Sequence, residues 1–203
     1  MIVHVESNFV LEMVLGQEQA SAAEKILEFA ERGEIELAIP WISLAEPFST
    51  VEKRAKDRTR FRTQLEARLN DMRRSQALDN DVRSLEFAPP LLIRIDGDER
   101  DNLTRAMEQI LDVATVLTID ATVFRQATSY RARFGFDPED AFVFASVVAN
   151  LTTNESPGPH YFVTRDRDDF GDPGIAEELS GLGCELRLSF PEMALVLEQP
   201  LPD

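Results

Sequence analysis

Ile2-Val3-His4-Val5-Glu6-Ser7-Asn8-Phe9-Val10-Leu11 opens the chain and decides its fold class. Ile2 to Val5 is short and rich in β-formers, as a buried strand would be. A helical pattern then runs from Phe9 through Arg32. Ala23, Ile26, Leu27 and Ala30 recur at i, i+3, i+4 and i+7, and Gly33 is a natural C-terminal stop. Ile35 to Ile39 reads as the next strand, closed by Pro40. A long helix is expected from about Ser43 to about Leu85, broken near Leu78–Asp81. Pro89-Pro90 punctuates before an apolar run, Leu91 to Ile95, that the pattern alone does not place. Asp98 to Leu111 is helical, Thr115 to Ile119 a strand, and Ala121 to about Phe134 a helix. Asp137-Pro138-Glu139-Asp140 starts another helix, with Asp as N-cap, Pro at the first position and acids in the first turn. Its continuation, Ala141 to Leu151, is apolar nearly all round and so calls for central burial. Beyond a polar loop, Tyr161–Val163 and Glu185–Leu188 are strands, and the tail from Glu198 is expected to fray. Strands alternating with helices imply an α/β fold with a largely parallel sheet.

At 203 residues, with 43% hydrophobic and 29% charged side chains, the chain can build one sizeable core. Its single cysteine, Cys184, excludes an intramolecular disulfide framework and any zinc site made of several thiolates. A lone thiol also suits a reducing cytosol. Ala141 to Leu151 falls short of the roughly 20 apolar residues that a membrane span needs. The N-terminus has no basic region or cleavage site of the kind a secretion signal carries. A cytoplasmic globular protein with no membrane association is the expectation.

The formal charge is −16, and it is unevenly spread. Lys53, Arg54, Lys56, Arg58, Arg60, Arg62, Arg68, Arg73 and Arg74 face only three acids between Lys53 and Arg74, which leaves +6 there and −22 elsewhere. A basic helix on an acidic body is a footprint for a polyanion, or simply a solvated face.

No Gly-rich phosphate loop and no Gly-x-Ser-x-Gly elbow is present, so nucleotide-cofactor and serine-hydrolase chemistry have no machinery here. Of the two histidines, His4 lies inside the first strand, where packing is its expected role; His160 precedes a later strand. What remains is carboxylates. Glu6 follows the first strand, Glu46 lies just beyond the second, Asp140 sits in the first turn of the apolar helix, and Asp166 follows Phe162-Val163-Thr164-Arg165. In a parallel sheet the carboxyl ends of the strands share one edge, so these four acids should converge. Each has an ordinary structural reading as well, Asp137 and Asp140 as helix-start residues and Asp168 and Asp169 as solvated acids. Glu6 and Glu46, however, sit in apolar surroundings that penalise an unpaired charge. A converging set of carboxylates needs a cation, and hard oxygen ligands select Mg²⁺ or Mn²⁺.

Taken in order, these stretches resemble the PIN domain, a family of metal-dependent nucleases. The strand with Glu6-Ser7-Asn8 resembles the family's strand-Asp-x-Asn opening, although Glu6 stands where Asp is usual. Ile39-Pro40 through Glu46 resembles its Glu-bearing helix, Asp137-Pro138-Glu139-Asp140-Ala141-Phe142 its Asp-Ala helix start, and Thr164-Arg165-Asp166 its Thr-x-Asp motif. The resemblance implies one domain over residues 1–203, a three-layer α/β/α sandwich with a mostly parallel central sheet, and a helical insertion at about 50–112. It implies a Mg²⁺- or Mn²⁺-dependent ribonuclease with Glu6, Glu46, Asp140 and Asp166 as catalytic metal ligands. Asn8, Thr164, Asp137 and Asp169 would support them. Lys53, Arg54, Arg58, Arg60 and Arg62 are the candidate RNA contacts, and an antitoxin or other inhibitor protein and a homodimer are the implied partners. A PIN-like module without catalysis, binding nucleic acid or protein, is the alternative that Glu6 raises.

Overall fold

The computed structural model describes residues 1–154, 156 and 158–199. Strand β1 (Ile2–Val5) leads into α1 (Ser7–Leu15) and α2 (Ala20–Glu31), and β2 (Glu36–Pro40) into α3 (Trp41–Met72). A short 3₁₀ turn (Gln76–Leu78), α4 (Asp79–Leu85) and α5 (Ala88–Val113) return to β3 (Ala114–Leu117). The chain continues through α6 (Ala121–Phe134), α7 (Pro138–Thr153), β4 (His160–Val163), α8 (Arg167–Phe170), α9 (Pro173–Ser180), β5 (Cys184–Arg187) and α10 (Phe190–Leu197). The strands form one all-parallel sheet in the order β3-β2-β1-β4-β5.

Period-two alternation sorts the strand side chains between two cores. Val3, Val5, Leu37, Ile39, Tyr161 and Val163 join Phe9, Ile26, Leu103, Ile110 and Phe190 from α1, α2, α5 and α10 on one face. On the other, Phe162 packs with Val123, Phe144, Val147, Phe170 and Ile175 from α6 to α9. Helices on both faces of a parallel sheet make the expected three-layer sandwich. As its composition required, α7 is the most deeply embedded helix, burying Ala141, Val143 through Val148 and Leu151.

Three stretches depart from the sequence expectation. The helix over 9–32 is two helices, because Gly16 takes a left-handed conformation (φ 58°) that ends α1. The helix from Ser43 stops at Met72, earlier than the expected break. Leu91–Ile95 lies inside α5, with Pro89 and Pro90 in its first turn. Proline there loses no intrahelical bond, so the pair starts a helix where it was read as a separator. Together α3 and α5 form a long antiparallel hairpin that includes residues 50–112; α3 alone spans about 48 Å at ~1.5 Å per residue. The tail from Glu198 falls largely outside the described residues.

Candidate metal centre at the carboxyl edge of the sheet

Strand order reverses direction at β1, with β2 on one side and β4 on the other. The crevice at the carboxyl ends of β1 and β4 is therefore a topological switch point, where open α/β sheets place ligands. Glu6 stands at the end of β1 as N-cap of α1, buried to 3% exposure. Its Oε2 accepts from the Asn8 amide at 2.7 Å, and Oε1 accepts from the Thr164 hydroxyl at 2.9 Å. The Asp166 amide in turn donates to Thr164 Oγ1 at 2.9 Å. One hydroxyl thus ties the end of β1 to the loop after β4.

Ser7 makes the second tie. Its Oγ lies 2.6 Å from Glu46 Oε2, on the second turn of α3, and 3.1 Å from Glu6 Oε2. A hydroxyl carries one proton, so it donates to one carboxylate at a time. Both contacts are satisfied together when Glu6 is itself protonated. Burial pushes the Glu6 carboxyl up to about 7, with a further push from Glu46, against the bonds from Asn8, Thr164 and Ser7.

Asp140 comes from the first turn of α7 and Asp166 from the N-cap of α8, where its Oδ1 accepts from the Asp168 and Asp169 amides. The Asp140 carboxyl is pushed up to about 7 by desolvation, then by Asp169, Asp166, Glu6 and Glu46. All four expected ligands, with Asp169, therefore act on one space. Asp169 is raised as well, by burial first and then by Asp166, Asp137 and Asp168. The N-termini of α1, α7 and α8 point their positive ends at these acids and partly offset the repulsion. Asp137 is the N-cap of α7 by position but makes no capping hydrogen bond.

A family model described as PIN domain matches residues 3–170. The chain belongs to the PIN domain family. No curated protein and no solved structure gives a match. PIN domains are generally metal-dependent nucleases, often ribonucleases. The donor set here fits such an ion, being all oxygen, anionic and self-repelling. Among the described residues, no three Asp, Glu, His or Cys side chains already gather in a ligating group.

The rest of this PIN domain's expected site residues divide cleanly. Asn8 contributes its backbone amide, and Thr164, wholly buried, its hydroxyl. Arg58 is not available to a phosphate: it donates to both carboxylate oxygens of Glu99 and to Asp96, with its side chain only 15% exposed. Arg54 also reaches Glu99, while Arg60 and Arg62 pair with Asp57 and Glu66 along α3. Lys53 is exposed and forms no ion pair among the described residues. His4 is buried, with Nε2 2.8 Å from Asn150 Oδ1 and Nδ1 3.3 Å from the Tyr161 carbonyl oxygen, which is the packing role expected of it.

Two features escaped the sequence reading. Ser7, which has no assigned role in the sequence motif, bridges two carboxylates. Arg165, between Thr164 and Asp166, donates to the fully buried Glu12 of α1 and to Gln17 Oε1 at 2.9 Å. The loop that carries Asp166 is thereby fastened to the helix that Glu6 caps.

The raised carboxyls make ion-free stability depend on pH. Between the ordinary carboxylate range and pH 7, the folded chain keeps protons on Glu6 and Asp140 that the unfolded chain has released. Stability is then fullest below that window and falls as pH rises through about 7. At ~1.4 kcal/mol per unit, wholly buried Glu6 contributes on the order of 3 kcal/mol and half-buried Asp140 less. In chelator, thermal melting should be higher at pH 5 than at pH 8 by several degrees, and Glu6→Gln should flatten the difference. An equal or higher melting temperature at pH 8 would refute the assignment.

Proposed function

We propose that this PIN-domain protein is a Mg²⁺- or Mn²⁺-dependent endoribonuclease that uses Glu6, Glu46, Asp140 and Asp166 as its catalytic carboxylates. The observation that carries this reading is that Asp140, at the carboxyl edge of the sheet, is pushed up to about 7 by burial first and then by Asp169, Asp166, Glu6 and Glu46. When bound, the divalent ion supplies Lewis-acid charge at the scissile phosphate. Burial and its acidic neighbours disfavour the ionised form of Asp140, which a cation bound among these acids would favour. Thr164 fixes the Glu6 carboxyl and the Asp166 amide, and Ser7 holds Glu6 against Glu46. Asp169 adds negative charge beside Asp166, and Asp137 stands at the mouth of α7. Toxin-like action, an inhibitor partner and a homodimer extend this reading on the family resemblance alone, and a cytoplasmic setting on the lone cysteine and the shortness of the apolar run.

One observation favours the non-catalytic alternative: both Glu6 oxygens already have protein donors. Incubating the protein with a mixed RNA pool separates the two readings. Cleavage that needs Mg²⁺ or Mn²⁺ and stops in chelator supports the nuclease. Persistent inactivity with both ions, or cleavage indifferent to chelator, overturns it.

The basic stretch of α3 also divides into testable halves. Arg58→Gln leaves Glu99, whose side chain is 8% exposed, without its main partner. Removing one member of such a buried pair costs about 3–5 kcal/mol, so the variant should melt well below the native protein. Lys53→Gln with Arg60→Gln should leave melting unchanged. If both residues meet phosphates, the log–log salt slope of single-stranded RNA binding should shrink by about 1.4, at ~0.7 per contact. An unchanged slope would assign this face to solvent.

A further inference from the structure

Beside the carboxylates, on the same edge of the sheet, lies an apolar cleft of about 540 Å³. Its walls are Trp41 and Ile42, which begin α3 directly after β2; Thr118 and Ile119, which follow the end of β3; Phe124 on α6; and Phe142 on α7. The volume is in the usual range for small-ligand sites, about 300–1,000 Å³. Trp41 and Phe124 remain 55% and 57% exposed, and the Phe124 and Phe142 rings meet at 5.2 Å. An open patch of this kind, with several apolar side chains side by side, is a candidate interaction site.

Position ties the cleft to the acids. Ile42 is one turn before Glu46 on α3, and α7, which carries both Asp140 and Phe142, packs against β2 and β3. Two strand spacings of ~4.8 Å put the end of β3 about 10 Å from the end of β1, where Glu6 stands. A phosphate at the acids would therefore bring the base of a nearby nucleotide within reach of the cleft.

Charge narrows the occupant. Glu6, Glu46, Asp140, Asp166 and Asp169 make this edge of the sheet negative, and like charges oppose an incoming phosphate backbone. Parts of the substrate that carry no charge escape that repulsion. Nucleobases are such parts, and aromatic side chains stack on them with little regard to sequence.

We propose that the Trp41–Phe124–Phe142 cleft is a nucleobase subsite that stacks an unpaired base of single-stranded RNA next to the carboxylate centre. This rests on the ribonuclease reading for its substrate, but it concerns binding alone. A base in a duplex is paired and stacked on its neighbours, so the subsite selects single strands.

Trp41 is the only tryptophan of the chain, so its fluorescence reports on the cleft directly. The experiment titrates the intact protein, in chelator at low salt, with three probes. These are a short single-stranded RNA, the same RNA as a duplex, and an abasic ribose-phosphate oligomer of equal length. Saturable quenching by the single strand, with little response to the other two, is the expected result. Phe124→Ala should weaken that binding about tenfold or more, as should Trp41→Ala read by anisotropy of labelled RNA, and Trp41→Phe should recover most of it.

Equal response to the abasic oligomer, absence of saturable quenching, or unchanged affinity in both alanine variants would overturn the subsite. So would concentration-dependent self-association that Trp41→Ala abolishes, which would give the cleft to a second copy of the chain. Because no turnover is needed, failure here leaves the nuclease reading standing. Stacking without metal-dependent cleavage of any RNA would do the reverse.

Discussion

Asp140→Asn should cut RNA cleavage by about 10²–10⁴-fold and, in the same preparation, raise the melting temperature of the ion-free protein. The first effect follows from removing a carboxylate proposed to hold the divalent ion. The second follows from the cluster's electrostatics. Four other carboxylates act on Asp140, and a neutral amide of nearly the same shape relieves that repulsion without opening a cavity. Most substitutions destabilise, so a variant that loses activity while gaining stability is informative. Loss of activity with loss of stability would mean that the fold had failed, and the carboxylate would be uninformative. Turnover within about tenfold of native would remove Asp140 from the mechanism. Asp166→Asn should cost similar activity, but with less gain in melting, because it also removes a negative charge from the N-terminus of α8, where two amides point at it.

Much of this arrangement was legible because it depends on local pattern. Ile2–Val5 and Tyr161–Val163 are short apolar runs that only a buried strand accommodates, and each observed strand lies within a residue or two of its expected bounds. Alternation of strands and helices then fixed a common carboxyl edge, and with it the neighbourhood of Glu6, Glu46, Asp140 and Asp166. What stayed hidden depends on partners distant in sequence. Charge counting along α3 treated Arg58 as free, since Asp96 and Glu99 sit some forty residues away and meet it only when α5 folds back. Ser7 gains its meaning from Glu46, and Arg165 from Glu12. Pro89-Pro90 was ambiguous for a different reason: proline both ends helices and begins them, and only the pairing of α5 with α3 decides which.

Glu6→Asp should slow cleavage by about 10–100-fold, although aspartate is the usual residue at this position of the motif. The Glu6 carboxylate is held at three points: by the Asn8 amide and the Ser7 hydroxyl on its own helix, and by the Thr164 hydroxyl from the end of β4. Aspartate is one methylene shorter. It would keep the amide, since Asp is a good N-cap, but would draw back from Thr164 by about a bond length. Thr164 Oγ1 also accepts the Asp166 amide, so losing Glu6 loosens the loop that presents Asp166. Misplacement of about 1 Å at a reacting centre can cost on the order of 100-fold. The pocket is thus built to the length of glutamate. Mg²⁺ and Mn²⁺ titrations of native and variant protein, read by cleavage of a mixed RNA pool, check this. A more active Glu6→Asp would mean that glutamate blocks a decayed centre, and the native chain would then act through what it binds.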